Sequence, residues 1–173
     1  MSVPDQPRRR VNFFAGRILS ADDLRAEQEH ARARQWLHNR MLHGAGVVSG
    51  LDVVVEGGDD IVVSPGMAID GLGREIVLAE PRRLDGSDVV ADSHGRIQVV
   101  VAWAEHPLGE VVGPDGPVPD GYVERPDVVL ADRTVVEAAN DTVVLARAHR
   151  RDGELLVDPS VRQRVGRRPS RDA

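Results

Sequence analysis

The chain has 173 residues, 22 of them Lys or Arg and 28 Asp or Glu, for a formal charge of −6. That length suits one domain with a real core, and the negative charge makes it a poor non-specific ligand for nucleic acid. No apolar run approaches the roughly 20 residues that span a bilayer, and the absence of cysteine excludes disulfides, thiolate chemistry and cysteine-based zinc sites.

Residues 1–10, MSVPDQPRRR, are polar and read as a mobile arm. Their charge is not followed by an apolar stretch, so they are not read as a secretory leader. Residues 11–19 begin extended and carry Phe13 and Phe14, the only phenylalanines. Neighbours on an extended segment point to opposite faces. Either one ring anchors to this domain and the other to a neighbour, or both close the edge of the core.

Residues 20–43 read as one helix. Ser20 is a good N-cap, Asp23 completes a capping-box-like arrangement, and Asp22 and Asp23 suit the positive end of the dipole. Asp22 with Arg25, Arg25 with Glu29 and Glu29 with Arg32 fall at ion-pair spacing, and Gly44 stops the helix. Two weakly apolar sides result. Ala26, Ala33, Leu37 and Met41, with His30 between, are expected to pack on the rest of the domain. Leu24, Gln28, Ala31, Gln35, His38 and Leu42 form a short heptad seam, whose polar positions would set register and oligomer state at a cost in stability. Alternatively Gln28 and Gln35 face water while Leu24 and Leu42 are end contacts. Arg32, Trp36 and Arg40 lie one turn apart, as a cation–π ladder or as ordinary surface packing.

Residues 46–158 read as β. Aromatics are 3% of the chain, so its core must be Val, Leu, Ile and Ala. Leu51, Val53 and Val55 alternate with Asp52 and Glu56, and Gly57, Gly58, Asp59 and Asp60 supply a turn before Ile61. Further strands are expected at 67–69, 75–78, 97–104, 122–130, 142–148 and 154–157, with Asp152 and Gly153 turning between the last two. Residues 97–104 are apolar on both faces and predict a central strand covered on both sides. The pattern predicts a small antiparallel sandwich or barrel-like domain with one N-terminal helix, rather than βαβ repeats. Residues 107–121, rich in Pro and Gly, are a projecting loop or an ordered excursion touching a neighbour. Residues 159–173 read as a flexible basic tail, solvated or docked on an acidic neighbouring subunit.

Enzyme motifs do not assemble. His30, His38 and His43 are spaced by eight and five, which does not give the same-face pair of a helical zinc site. The stretches DGLG and GPDG lack the Lys-Ser/Thr of a phosphate loop and the ligand series of an EF-hand. Asp70 and Glu75 flank Arg74, more economically an ion-pair network steadying a turn than a catalytic carboxylate pair. Ser49 and Ser64 lack an elbow motif. The reading is a non-enzyme with no metal or cofactor.

Several stretches carry a family likeness: "NFFAGRILSADDLRAEQEHARARQWLHNRMLHG", "GAGVVSGLDVVV" and "IVVSPGMAIDGLGREIVL". Together they resemble the N-terminal region of proteins in phage-tail and contractile-injection-particle gene sets. "YVERPDVVLAD" and "VVLARAHRRDGELLVD" resemble the later strands of such domains, so the resemblance extends over residues 12–158. It implies a structural baseplate, tail-tip or fibre-adaptor part whose partners are other tail or baseplate subunits. It also implies a homo-oligomer, with a trimer favoured, made in the cytoplasm and incorporated into a particle. On that view residues 11–45 attach or oligomerise, and Phe13, Phe14, Leu24, Gln28, Gln35 and Leu42 form the candidate interface. The alternative is a glycan- or surface-binding β module using residues 107–121 with Trp103 or Tyr122. A hydrolase would require a cluster of His and carboxylates that these spacings do not give.

Overall fold

The computed structural model describes residues 10–87, 89 and 97–166. Most of the arm read over 1–10, and the end of the tail beyond residue 166, lie outside them. Helix α1 (Ala21–His38) widens into a π-type turn (Asn39–His43). Gly44 ends it with φ +73°, and its N–H donates to the Asn39 carbonyl at 3.0 Å. At the start, the Asp23 N–H donates to Ser20 Oγ and the Ser20 N–H donates to Asp23 Oδ2, both at 3.1 Å. Asp22 pairs with Arg25 at 2.8 Å. The ladder expected through Glu29 does not continue, because Arg32 reaches across to Glu105 at 3.2 Å.

The strands follow in order: β1 (Gly46–Gly50), β2 (Val53–Glu56), β3 (Asp60–Val63), β4 (Gly66–Ile69), β5 (Glu75–Leu78), β6 (Arg82–Asp85) and β7 (Ile97–Ala102). Next come β8 (Glu105–Leu108), β9 (Val111–Gly113), β10 (Gly116–Val118), β11 (Gly121–Glu124) and β12 (Asp127–Asp132). The short helix α2 (Arg133–Ala138), β13 (Thr142–Arg151) and β14 (Glu154–Asp158) complete the body. Pairing is antiparallel throughout these strands, in the orders β1-β4-β5, β2-β3-β6 and β12-β7-β13-β14, with two-stranded ribbons β8-β11 and β9-β10. The sheets do not close into a barrel.

Glycine sets the corners. Gly50 and Leu51 take φ +54° and +58° in succession. A Cβ on Gly50 would overlap the Pro65 carbonyl oxygen, so only glycine fits there. Leu51 accepts the left-handed backbone while its side chain is wholly buried. At the other end, Asp152 and Gly153 have φ +52° and +85°, the two positive values that a tight type I′ hairpin requires.

The core is largely aliphatic. Val128 of β12, Val101 of β7 and Val143 of β13 lie side by side in register, and Val99 lies beside Leu130 and Ala146. Val47, Leu51, Ile61, Val63, Ala68, Ile76, Leu78 and Leu155 join them from the other sheets. A bulge between Val144 and Ala146 inserts Leu145, which is fully buried. β7 is central, as its sequence predicts, and buried on both faces: Val99, Val100 and Val101 are at most 1% exposed.

Val100 belongs to the face away from that cluster. β12 and β13 both run antiparallel to β7, so they are parallel to each other, and the link between them has to cross the sheet. That link carries α2, capped by Asp132 and buried at Val136. The sequence reading missed this single crossover because a six-residue helix shows little periodicity. The same reading ran 122–130 as one strand, which Arg125 and Pro126 break into β11 and β12. Residues 107–121 prove to be an ordered excursion: β8 pairs with β11, and a small β9–β10 hairpin sits at its tip.

The basic tail also departs from expectation as far as Gly166. After β14, Arg162 is only 7% exposed, pairs with Asp52 at 2.8 Å and donates to the Gly50 carbonyl. Gln163 accepts from the Val47 N–H at 2.8 Å, and Val165 and Gly166 donate to Val47 and His43. Residues 163–166 thus line the free edge of β1 and tie it to the end of the helix, so this part of the tail is a structural strap.

Candidate assembly interface

Helix α1 docks on the β body through its C-terminal half, along a face that the sequence did not single out as apolar. Trp36 meets Trp103 edge to face, with centroids 6.3 Å apart and planes at 75°. The Asn39 amide, buried, donates to the Gly73 carbonyl at 3.0 Å and to Glu75 Oε1 at 3.1 Å. Gln35 donates to the same Glu75 oxygen at 3.1 Å, and Arg40 donates to the Leu72 carbonyl at 2.8 Å. Positions 32, 35, 36, 39 and 40 form one helical stripe, anchored mostly by polar contacts. Gly73 is required there, because a Cβ would overlap the Trp36 carbonyl oxygen.

This arrangement corrects two expectations. Ala26, Ala33 and Met41 do not pack on the body but are exposed. Gln35, assigned to a partner seam, is exposed and also donates to Glu75. The Arg32–Trp36–Arg40 ladder does not stack on itself, since each member contacts the β body; the cation over an aromatic ring is Arg74, 4.7 Å from the Trp103 centroid. The sequence signal that could have revealed the docking face was the recurrence of Arg32, Trp36 and Arg40 every four residues, with Asn39 beside them.

Under the helix end, the β4–β5 turn is built on Asp70, which is 0% exposed. Its Oδ1 accepts from the Leu72 and Arg74 N–H groups at 2.9 Å each, and its Oδ2 accepts from Arg74 Nε at 2.6 Å. These bonds give a buried carboxylate the partners it needs. Glu75 takes no part in this pair. Successive strand residues face opposite ways, so Arg74 turns toward Asp70 and Trp103 while Glu75 turns toward the helix.

The remainder of the N-terminal region is open. None of the 18 residues of α1 is buried. Of the proposed interface residues, Phe13 is 51% exposed, Phe14 61%, Leu24 54% and Leu42 69%, with Gln28 also exposed. Ile18, at 91%, is a further exposed apolar residue of this segment and was not singled out from sequence. The segment before the helix is nevertheless shaped. Gly16 at φ +89° lets the Arg17 N–H donate back to the Phe14 carbonyl at 3.1 Å, and the Arg17 guanidinium pairs with Asp23 at 2.5 Å. Hydrogen bonds from the Ser20 N–H and hydroxyl, helped by Arg17, hold the Asp23 carboxyl below its ordinary pKa. Trp103 is packed against the core and Trp36 and is not an open platform, whereas Tyr122 is 63% exposed. Among the described residues no helix is long and apolar enough to cross a membrane, and no three His, Asp or Glu side chains cluster as metal ligands.

No protein-family model matches the chain, and no curated protein matches it in sequence. Its fold is similar to that of a chain in the cryo-electron microscopy structure of the type VI secretion system TssK–TssF–TssG baseplate subcomplex. That match has 16% identity and a TM-score of 0.55, covering 89% of this chain and 61% of the other. It is also similar to a chain of the baseplate complex from the type VI secretion system, at 15% identity and a TM-score of 0.50, covering 89% and 58%. The chain therefore spans about three fifths of the length of these structures, and at such identities the likeness is one of fold.

Proposed function

We propose that this protein is a structural component of a contractile injection or phage-tail-like particle, placed at the baseplate, tail tip or fibre attachment, and that it works by assembly rather than catalysis. The observation that carries the reading is the contrast within one chain of a closed aliphatic β body and a shaped N-terminal segment and polar helix that leave Phe13, Phe14, Ile18, Leu24 and Leu42 exposed, the helix having no buried residue. Exposed apolar surface of that kind supports a protein–protein contact. The fold shared with chains of baseplate structures, and the resemblance carried by residues 12–158, indicate the kind of assembly.

On this reading the β body is a rigid block, and Phe13, Phe14, Leu24, Gln28, Gln35 and Leu42 face other subunits. The self-association implied by the resemblance is a trimer, consistent with the repeated interfaces of symmetric particles. The test is purification of a tagged copy at native expression from its own host, with electron microscopy and mass spectrometry of what accompanies it. Co-purification with tail or sheath particles is expected, and a lone species with no particle subunits would overturn the proposal.

A further inference from the structure

Resting on that assembly reading, we infer that the ribbon of β8 and β11, tipped by the β9–β10 hairpin, inserts as an arm between apolar elements of a neighbouring subunit whose surface there is basic. The ribbon is rooted on the body: the Arg125 N–H donates to the Ala104 carbonyl at 3.1 Å, Arg32 pairs with Glu105 at 3.2 Å, and His106 Nε2 lies 3.2 Å from the Arg125 carbonyl. Beyond that root it buries nothing. Residues 107–125 are all exposed except Gly113, Gly116 and Gly121, which are half-buried. Two-stranded ribbons are marginal in water on their own, yet this one exposes Leu108, Val111, Val112, Val118, Tyr122 and Val123.

Register puts these side chains on both faces, since cross-strand partners share a face and successive residues alternate. Val111 lies beside Val118 on one face of the hairpin and Val112 beside Pro117 on the other. In the ribbon, Tyr122 and Pro107 share one face, with Leu108 and Val123 on the opposite one. A flat partner would cover half of this apolar surface, whereas a cleft covers both halves, and Val112, 94% exposed at the tip, would enter it. Pro107 in β8 and Pro117 in β10 lack an N–H, which makes the outer edges poor templates for strand addition. Side chains are what the arm presents.

Charge identifies the occupant. Between His106 and Arg125 the chain carries Glu110, Asp115, Asp120 and Glu124 and no Lys or Arg. Among the described residues no ion pair reaches these carboxylates, whereas Glu105 at the root is taken by Arg32. An anionic lipid surface or a nucleic acid would be repelled, and pairing the arms of two copies would set carboxylate against carboxylate. One aromatic ring among aliphatic side chains is a poor sugar platform. The complementary partner is a protein cleft, apolar inside and rimmed by Arg or Lys.

The test uses the full-length protein in its own host, with photoreactive benzoylphenylalanine in place of Val112. Cross-linking and mass spectrometry are expected to join position 112 to one site on another particle subunit, in an apolar stretch flanked by Arg or Lys. That subunit, purified, is then the probe for titrations. Val112→Ser with Tyr122→Ser, and separately Glu110→Gln with Asp115→Asn, Asp120→Asn and Glu124→Gln, should each weaken binding by about tenfold or more with an unchanged circular dichroism spectrum. The second set should also flatten the dependence on salt. A cross-link only to this chain or a second copy of it, a cross-linked surface without basic residues, or wild-type affinity in either set of variants overturns the inference. Particles that contain the chain but give no cross-link from position 112 would sink the arm and leave the assembly role standing. A cross-link to a basic apolar cleft of a protein that belongs to no particle would support the arm and sink the assembly role.

Discussion

The β body and the N-terminal region solve the burial problem in opposite ways. The body encloses Val, Leu and Ile from several strands, each fully buried side chain contributing about 1.5–3 kcal/mol, and the Asp70 carboxylate at the β4–β5 turn is matched inside. The N-terminal region buries nothing along an 18-residue helix, holds on at one end through hydrogen bonds and the Trp36–Trp103 contact, and leaves its apolar residues outside. An isolated helix of that length is marginal in water. Its order here rests on the capping box and the docked C-terminal half. A closed body carrying a largely open N-terminal region is a division of labour consistent with the assembly role proposed above.

That comparison can be broken at several points. Leu145→Ala in the bulge of β13 should cost about 2–5 kcal/mol, read as a lower urea midpoint; a cost near zero would mean the body is not the stability core. Gly73→Ala should undock the helix end, because the added methyl meets the Trp36 carbonyl. Trp fluorescence should then change and amide exchange in residues 32–43 should rise, with the urea midpoint of the body moving less than for Leu145→Ala. Ser20→Ala should cost about 1 kcal/mol, confined to the helix start and visible in amide exchange there; an equal loss throughout the body would show that the two regions unfold together.

Acidification addresses the same cap. The Asp23 pKa is depressed in the folded chain, so its contribution is fully present above the ordinary carboxylate value of about 3.9 and is lost as pH falls through the folded value. The first turn of α1 should loosen in that window, and Ser20→Ala should flatten the dependence in an NMR titration. The smallest effect on stability is expected from Leu24→Asp with Leu42→Asp: within about 0.5 kcal/mol, since both are exposed. The same pair should reduce assembly, and unchanged particle incorporation and oligomer mass would remove these residues from the interface.

Much of the body was legible in the chain because period and punctuation agree. Alternation in 51–55, the apolar run from Ile97, and the glycine turns at 57–58 and 153 each follow from local rules that tertiary context did not override. The helix limits were equally readable, since Ser20, Asp23 and Gly44 act through contacts within a few residues. The docking face was less so. Composition along α1 ranks Ala and Leu as buried, yet the contact is made by Arg32, Gln35, Trp36, Asn39 and Arg40, because their partners Glu105, Glu75, Trp103, Gly73 and Leu72 are brought together only by the folded sheets.

Sequence by itself therefore determined the β class, the single long helix with its caps, the central place of β7 and the glycine turns at 57–58 and 153, all governed by steric rules or patterning over a few residues. Tertiary structure alone decided the α2 crossover, the strap formed by residues 163–166, and which face of α1 meets the body. Each of these depends on pairings between residues far apart in the chain, where hydrogen-bond partners and close backbone approaches, as at Gly73 and Trp36, exist only once the sheets are in place.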